Sequence, residues 1–212
     1  RGSVETPALR GLSLDVERGE FTAIVGPSGS GKTTLMNLIG GLDKPDSGSI
    51  VLDELEISDK DQSSLSEIRL WQIGFIFQAY NLIPVLSAIE NVEYVMLLQG
   101  REEKERRERA MAALRALDIE DLAQKRPNEM SGGQQQRVAI ARAIVSQPKL
   151  VLADEPTANL DSVTSKKLLD LMRELNEEKE ITFLFSTHDK RVVDRARRVI
   201  LLEDGRIDKE IH

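Results

Sequence analysis

A glycine-rich segment at residues 26–33 has the residue types and the spacing of a phosphate-binding loop. Its sequence, Gly-Pro-Ser-Gly-Ser-Gly-Lys-Thr, matches G-x-x-x-x-G-K-[ST] and lies between an apolar run, Phe21–Val25, and a helical pattern, Thr33–Ile39. Glycines allow consecutive backbone N–H groups to converge on phosphate oxygens, and the helix N-terminus adds positive potential. We expect Lys32 to reach the β- and γ-phosphates of a nucleotide and Thr33 to ligate Mg²⁺; the alternative is a glycine-rich turn that matches by chance. The predicted phosphate ligands are Gly26, Pro27, Ser28, Gly29, Ser30, Gly31, Lys32, Thr33 and Thr34.

Two adjacent carboxylates follow a second apolar run. Leu150–Ala153 has the pattern of a buried strand, and Asp154 and Glu155 come directly after it. In open parallel sheets, ligands lie at the carboxyl ends of the strands. We therefore predict that Asp154 holds Mg²⁺ and that Glu155, which faces the other way, polarises an attacking water. For this motif taken alone, an ordinary acidic turn at a strand end is the alternative.

The elements that must position these residues alternate along the chain. Short apolar runs are followed by longer helical patterns, which predicts an α/β fold with a largely parallel sheet. Residues 101–117 combine dense charge with apolar residues at helical spacing and, with the stretch to Val145, predict a mostly helical insert. Asp204-Gly205 suits a tight turn and predicts a terminal hairpin between Val199–Leu202 and Arg206–Ile207. The other predicted strands are Gly48–Leu52, Ile73–Phe77 and Ile181–Phe185.

Composition excludes several other kinds of chemistry. The 212 residues contain no cysteine and two histidines, which excludes a thiolate metal site, a cysteine nucleophile and a multi-histidine metal centre. A formal net charge of −7 disfavours a sequence-independent nucleic-acid binder. With 40% hydrophobic and 31% charged residues, the chain is predicted to be a folded globular domain. We expect no signal peptide and no membrane span, since no apolar run approaches ~18 residues.

The most specific motif is Met130-Ser131-Gly132-Gly133-Gln134, which precedes a helical run, Val138–Val145. With this motif the chain resembles the nucleotide-binding subunit of an ABC transporter. The signature of that family is Leu-Ser-Gly-Gly-Gln, so Met130 differs from it by one apolar exchange. Three further family motifs stand in the expected order: Gln78 at the glutamine loop, Ala158-Asn159-Leu160-Asp161 at the D-loop, and Ser186-Thr187-His188-Asp189 with the switch histidine.

The resemblance implies a fold and a division of the chain. It implies one P-loop NTPase domain with a RecA-like parallel sheet, a small N-terminal antiparallel β region and an inserted α-helical subdomain. Residues 1–80 and 147–212 would form the catalytic core with the β region. Residues 81–146 would form the helical subdomain that carries the signature motif.

The resemblance also implies ATP and Mg²⁺ as cofactors, and a second copy of the chain as partner in a head-to-tail dimer. Ser131 and two glycines open a helix and so offer a hydroxyl and free N–H groups as a second anion site. In the dimer this site would close on the ATP of the other copy; an ordinary N-cap of a core helix is the alternative. The implied catalytic residues are Glu155, His188, Lys32 and Gln78, the implied further ATP ligands are Ser131, Gly132, Gly133, Gln134 and Asp161, and the implied metal ligands are Thr33, Gln78 and Asp154.

Two segments, Ile76–Leu82 and Arg126–Glu129, resemble the lipoprotein-release and macrolide-export branch of the family. This implies that hydrolysis drives integral membrane permease subunits on separate chains, from the cytoplasmic face of the cell membrane and without nucleic acid. The apolar stretch at residues 80–86 either packs in the core or docks such a subunit. One rival function is a regulatory ATPase of a cell-division or cell-wall hydrolase complex. A second is a DNA-repair or chromosome ATPase, which needs a long coiled coil. A third is a translation-associated ATPase, which needs two ATPase domains of this type in one chain.

Some features depart from the family pattern. Residues 1–20 contain no aromatic side chain to stack on adenine, and Glu54 stands where relatives commonly have glycine, in an expected surface turn. Arg1-Gly2-Ser3 is typical of sequence added by cloning, so we expect a truncated natural N-terminus. We expect the single tryptophan, Trp71, to pack rather than to bind a ligand.

Overall fold

A six-stranded sheet forms the centre of the chain in the computed structural model, which describes residues 7–211. The expectations for Arg1-Gly2-Ser3 therefore lie outside the described residues. In chain order the strands are β1 (Phe21–Val25), β2 (Val51–Leu52), β3 (Leu55–Glu56), β4 (Ile73–Ile76), β5 (Leu150–Asp154), β6 (Thr182–Ser186), β7 (Arg198–Glu203) and β8 (Arg206–Ile211).

The order of strands in the sheet is β4-β5-β6-β1-β7-β8, and β2 and β3 form a separate antiparallel pair. All neighbours in the large sheet run parallel except β7 and β8, which confirms the predicted parallel core and the terminal hairpin. The hairpin turn places Asp204 at φ 46° and Gly205 at φ 76°. Two positive φ angles are what a two-residue turn between twisted strands requires, and Asp-Gly tolerates them.

Seven α-helices are found among residues 7–211. The predicted helix at residues 101–117 is present from Glu103 to Ala116, and the signature helix begins at Gly132, before the run at Val138. The helices are α1 (Lys32–Ile39), α2 (Gln62–Gln72), α3 (Ala88–Leu98), α4 (Glu103–Ala116), α5 (Gly132–Ile144), α6 (Ser162–Lys179) and α7 (Lys190–Val193). None of them is long and apolar enough to cross a bilayer.

Both faces of the sheet are buried, as expected for parallel strands. In β1, Phe21 and Ala23 face one cluster of buried residues, which contains side chains of α3 to α7. Ile24 faces a second cluster on the other side of the sheet, which contains side chains of α1 and α2. On the first face the ring centroids of Phe21 and Phe185 lie 4.7 Å apart. The alternation of side chains along β1 thus fixes the strand between two helical layers.

Three expectations are corrected or refined. The predicted strand Gly48–Leu52 is reduced to Val51–Leu52, and its turn places Glu54 at φ 68°, where glycine has no steric penalty. Trp71, expected to pack rather than to bind a ligand, is 46% exposed and therefore packs against the protein over only part of its surface. In the apolar stretch, Leu82 packs against the core whereas Val85 is 73% exposed, so the stretch contributes to the core and to the surface.

Candidate functional site

The glycine-rich segment forms a tight loop between β1 and α1, at the middle of the sheet. Gly26 has a φ of 157°, and a Cβ at this position would lie 2.1 Å from the backbone oxygen of Leu202. Gly31 caps α1 with a φ of 103°, and its Cβ would lie 2.7 Å from the oxygen of Ala8. The loop is therefore wedged between β7 and the segment at Ala8, and only glycine fits at these two positions.

The loop concentrates hydrogen-bond donors. Lys32 Nζ donates to the oxygens of Gly26 (2.7 Å) and Pro27 (3.0 Å), so the ammonium folds over the loop. The first backbone N–H groups of α1 have no partner within the helix. Ser30 is 3% exposed, and its hydroxyl has no hydrogen-bond partner among the residues described. An ammonium, helix N–H groups and a nearby Thr33 hydroxyl fit a polyphosphate with its cation.

The strand register brings the predicted carboxylates to the same edge of the sheet as this loop. Ile24 of β1 pairs with Ser186 of β6, which pairs with Asp154 of β5. Neighbouring strands lie about 4.8 Å apart, so Asp154 is about 10 Å from β1, a distance that a bound phosphate chain and cation can span. Ile76 of β4 pairs with the residue before Asp154, and Gln78 follows at the same edge with an exposed side chain.

The described chain contains no cluster of three or more His, Cys, Asp or Glu residues that could hold a metal ion. Mg²⁺ is commonly bound by one or two protein ligands, with water and phosphate oxygens completing the octahedron. Asp154 and Thr33 suit that mode of binding, since both offer oxygen ligands beside the phosphate loop. The residues present therefore fit Mg²⁺ bound together with a nucleotide.

The Glu155 carboxylate is held by the turn that follows β6. Its Oε2 accepts a hydrogen bond from the Thr187 hydroxyl (3.0 Å), and its Oε1 accepts one from the His188 backbone N–H (3.2 Å). Nδ1 of His188 lies 2.5 Å from the same Oε1. Glu155 is 14% exposed at its side chain, whereas the His188 side chain is 78% exposed. The predicted pair is thus in contact, with the imidazole projecting into the solvent and the carboxylate partly covered.

Sequence reasoning missed three residues beside this pair. Asp189 Oδ2 accepts a hydrogen bond from the Thr157 hydroxyl (2.6 Å) and from Arg191 Nη2 (2.7 Å). Burial raises the pKa of Asp189, but the hydrogen bonds from Arg191 and Thr157 and the charge of Arg191 outweigh it and lower that pKa to about 2. The contact between Thr157 and Asp189 has no local pattern to mark it, because these two residues meet only when β5 pairs with β6.

The signature motif forms a second site, away from the phosphate loop. Ser131 caps α5 and exchanges hydrogen bonds with Gln134: the Gln134 N–H donates to Ser131 Oγ (3.4 Å), and the Ser131 N–H donates to Gln134 Oε1 (2.8 Å). A recess of about 460 Å³ opens beside this helix start. Its lining includes Ser131, Gly132, Gly133, Gln134, Asn159 and Asp161, and no residue of the phosphate loop.

Asp161 has a structural role that its sequence position did not reveal. It caps α6, with Oδ1 accepting from the N–H groups of Val163 (2.9 Å) and Thr164 (3.0 Å). The Thr164 hydroxyl donates to Oδ2 (2.5 Å), and these bonds lower the pKa of Asp161. The carboxylate lies at the signature recess and not at the phosphate loop of its own chain.

Comparisons with known proteins agree with this arrangement. The family model "ABC transporter" matches residues 9–158, which is more than half of the chain. The chain belongs to the ABC transporter family. This ABC cassette is 49% identical to the lipoprotein-releasing system ATP-binding protein LolD 1 of Chlorobium chlorochromatii. The match covers 97% of this chain and 84% of that relative. It is 45% identical over 99% of its length to the macrolide export ATP-binding/permease protein MacB of Syntrophobacter fumaroxidans, of which it covers 30%.

A solved structure matches the whole cassette. The dimeric, post-hydrolysis structure of the ATP-binding cassette MJ0796, bound to ADP and Pi, superimposes with a TM-score of 0.94 at 44% identity, covering 100% of this chain and 93% of that one. The P-loop NTPase fold, the ATPase activity and the resemblance to the lipoprotein-release and macrolide-export branch are thereby confirmed.

Proposed function

We propose that two copies of this ABC ATPase close head to tail around two Mg²⁺·ATP and hydrolyse them to drive membrane permease subunits on separate chains. The observation that carries the proposal is the separation of the two anion sites. The described residues that line the recess at Ser131 all fall within 118–137 and 159–164, and none of residues 26–33 is among them. A second copy, turned about a two-fold axis, brings the recess of one chain to the phosphate loop of the other. The dimeric cassette MJ0796 supports this arrangement.

Within each closed site the chain would act by positioning and by charge. When bound, ATP with Mg²⁺ supplies the transferable phosphoryl group and the cation that neutralises its oxygens. Lys32 and the start of α1 hold the phosphates, and Asp154 and Thr33 hold the cation. Glu155 orients and deprotonates the attacking water, because it is the carboxylate at the end of β5 beside His188. The exposed His188 imidazole and Gln78 lie at the same edge to contact the γ-phosphate and the water.

The permease would dock on an apolar patch at the ends of α2 and α3, which we define as Trp71, Tyr94, Leu97 and Leu98. Tyr94, Leu97 and Leu98 share one face of α3 and are 39%, 49% and 56% exposed. The Gln99 side chain donates to the oxygen of Leu70 (2.9 Å), which joins the end of α3 to the end of α2, where Trp71 is exposed. Apolar side chains on a surface of this kind favour a partner helix. The combined ATP-binding/permease protein MacB supports a partner in the membrane.

The test of the ATPase dimer is Glu155→Gln. We expect kcat to fall by about 10²- to 10⁴-fold, since a general base contributes roughly that much, while ATP-bound dimers accumulate and are seen by light scattering. Glu203→Gln, at the exposed end of β7, is the matched control and should behave as the wild type. Chelation of Mg²⁺ should abolish hydrolysis in both. A Glu155→Gln protein that hydrolyses ATP at the wild-type rate, or stays monomeric with ATP at high concentration, would refute the proposal.

The test of the membrane partner is affinity purification of this chain from the membranes of its host, followed by identification of the permease that co-purifies. Leu98→Asp should abolish the complex and leave basal ATP hydrolysis unchanged, because the patch lies away from the carboxyl edge of the sheet. Ile211→Asp, an equally exposed apolar residue on β8, is the control and should leave the complex intact. Equal retention of the complex by both variants would remove the patch from the interface.

A further inference from the structure

A ring of hydrogen bonds links the ends of β5 and β6 beside Glu155. The Thr157 hydroxyl donates to Asp189 Oδ2 (2.6 Å), the Asp189 N–H donates to the Thr187 hydroxyl oxygen (3.0 Å), and the Thr187 hydroxyl donates to Glu155 Oε2 (3.0 Å). The chain from Glu155 to Thr157 closes the ring. Thr157 and Thr187 are fully buried. The ring thus ties the Glu155 carboxylate to the ends of both strands.

The direction of the bond from Thr187 follows from the donors available. A hydroxyl has one proton to donate and two lone pairs that accept. Because the Asp189 N–H already donates to Thr187 Oγ1, the hydroxyl proton is free to point at Glu155. The Thr187 N–H in turn donates to the oxygen of Ile24 in β1 (3.1 Å), so the backbone that carries the hydroxyl is fixed to the middle of the sheet.

The Glu155 main chain has an unusual conformation, which the surrounding structure must hold in place. It has a φ of 46°, a left-handed conformation that residues other than glycine seldom adopt. Its N–H donates to the oxygen of Ser186 (2.8 Å), which anchors the main chain but leaves the side-chain torsions free. The carboxylate orientation is set by Thr187 on Oε2 and by the turn at His188 on Oε1.

We propose that Thr187 is a positioning residue for ATP hydrolysis, whose hydroxyl aims the Glu155 carboxylate at the attacking water. The inference rests on the proposed role of Glu155 as the general base. Thr187 itself is fully buried, and its hydroxyl reaches the site through the Glu155 carboxylate. Its effect is therefore on the rate of the chemical step and not on nucleotide binding.

The test compares Thr187→Val, Thr187→Ser and a matched control. Valine keeps the shape and removes the hydroxyl, and we expect kcat to fall about tenfold with the KM for ATP unchanged, which corresponds to the loss of one orienting bond. Serine keeps the hydroxyl and should restore most of kcat. The control is Thr22→Val in β1: Thr22 is also fully buried and also donates to a carboxylate, Glu20 Oε2 (2.6 Å), but far from the carboxyl edge. An unchanged kcat in Thr187→Val, or an equal fall in Thr22→Val, overturns the proposal.

A double variant separates this inference from the role of Glu155. If Thr187 acts through Glu155, Thr187→Val adds no further loss to the residual single-turnover rate of Glu155→Gln, because interacting residues are non-additive. A multiplied loss overturns the positioning role while the base role stands. A Glu155→Gln protein with full activity overturns the base role itself. If Thr187→Val does not fold, Thr187→Ala replaces it in both comparisons, with the same expected and contrary results.

Discussion

Asp189 should make the stability of the protein depend on pH in the acid range. Its side chain is 15% exposed and accepts hydrogen bonds from Arg191 and Thr157. Its pKa falls from 3.8 to about 2, which corresponds to about 2 kcal/mol at 1.36 kcal/mol per unit. Because the folded pKa lies below the unfolded one, this stabilisation is present above about pH 4 and is lost as the pH falls towards 2. Asp189→Asn removes the titration.

The assay is urea unfolding of the wild type and of Asp189→Asn at several pH values between 7 and 3. We expect the wild type to be more stable by about 2 kcal/mol at neutral pH, and the difference to shrink steadily below pH 4. The difference between the two proteins isolates Asp189 from the other carboxylates, which titrate in both. Thr157→Val, which removes one donor to Asp189, should give a smaller difference with the same pH dependence. A difference that is constant from pH 7 to pH 3 would refute the reasoning.

Two further predictions concern the packing of the signature helix. Gly74→Ala should lower the free energy of unfolding by about 1–3 kcal/mol, because its Cβ would lie 2.4 Å from the oxygen of Ala143 and would push α5 off β4. Urea titration measures this change. Unchanged stability would contradict the prediction and mean that the contact relaxes. Arg142→Met should lower it by about 2 kcal/mol, since Arg142 donates to the oxygens of Tyr80 (2.9 Å) and Asn81 (2.5 Å). Thermal unfolding checks this prediction, and Arg142→Lys should retain part of the lost stability. Equal melting temperatures for Arg142→Met and the wild type would contradict it.

The fold could be predicted where a short local pattern decides the structure. Leu150–Ala153 and Phe21–Val25 are apolar runs with polar ends. A parallel strand that is buried on both faces has this continuous apolar pattern rather than an alternating one. Asp204-Gly205 fixes the hairpin turn by itself because few residue pairs tolerate two positive φ angles. The predicted β strand at Gly48–Leu52 was too long, since only Val51 and Leu52 pair as strand residues, with Glu56 and Leu55. The exposure of Trp71 was missed because it depends on the side of α2 that the sheet leaves uncovered.

The sequence motifs predict individual residues of the candidate site but not the hydrogen-bond network that joins them. Lys32, Glu155 and His188 are marked because the predicted phosphate chemistry calls for these residue types at these positions. The contacts of Thr187 and Asp189 carry no such signal, since a threonine beside a turn is common and its partner lies 32 residues away along the chain. Only the register of β5 on β6, with Asp154 opposite Ser186, brings Glu155 to the turn at Thr187. Long-range pairing therefore decides how the carboxylate is oriented.

The segment after Gln78 shows how one chain holds its two half-sites in a fixed relation. The Asn159 side chain donates to the oxygen of Gln78 (3.1 Å), and Arg142, in the last turn of α5, donates to the oxygens of Tyr80 and Asn81. At the other end of α5, a Cβ on Gly132 would lie 2.7 Å from the Tyr80 hydroxyl, so the tyrosine packs directly against this glycine and would have to shift if a side chain replaced it. The segment thus contacts both ends of the signature helix as well as the D-loop. Glycine at position 132 accordingly serves the packing of its own chain, in addition to any ligand that the recess accepts.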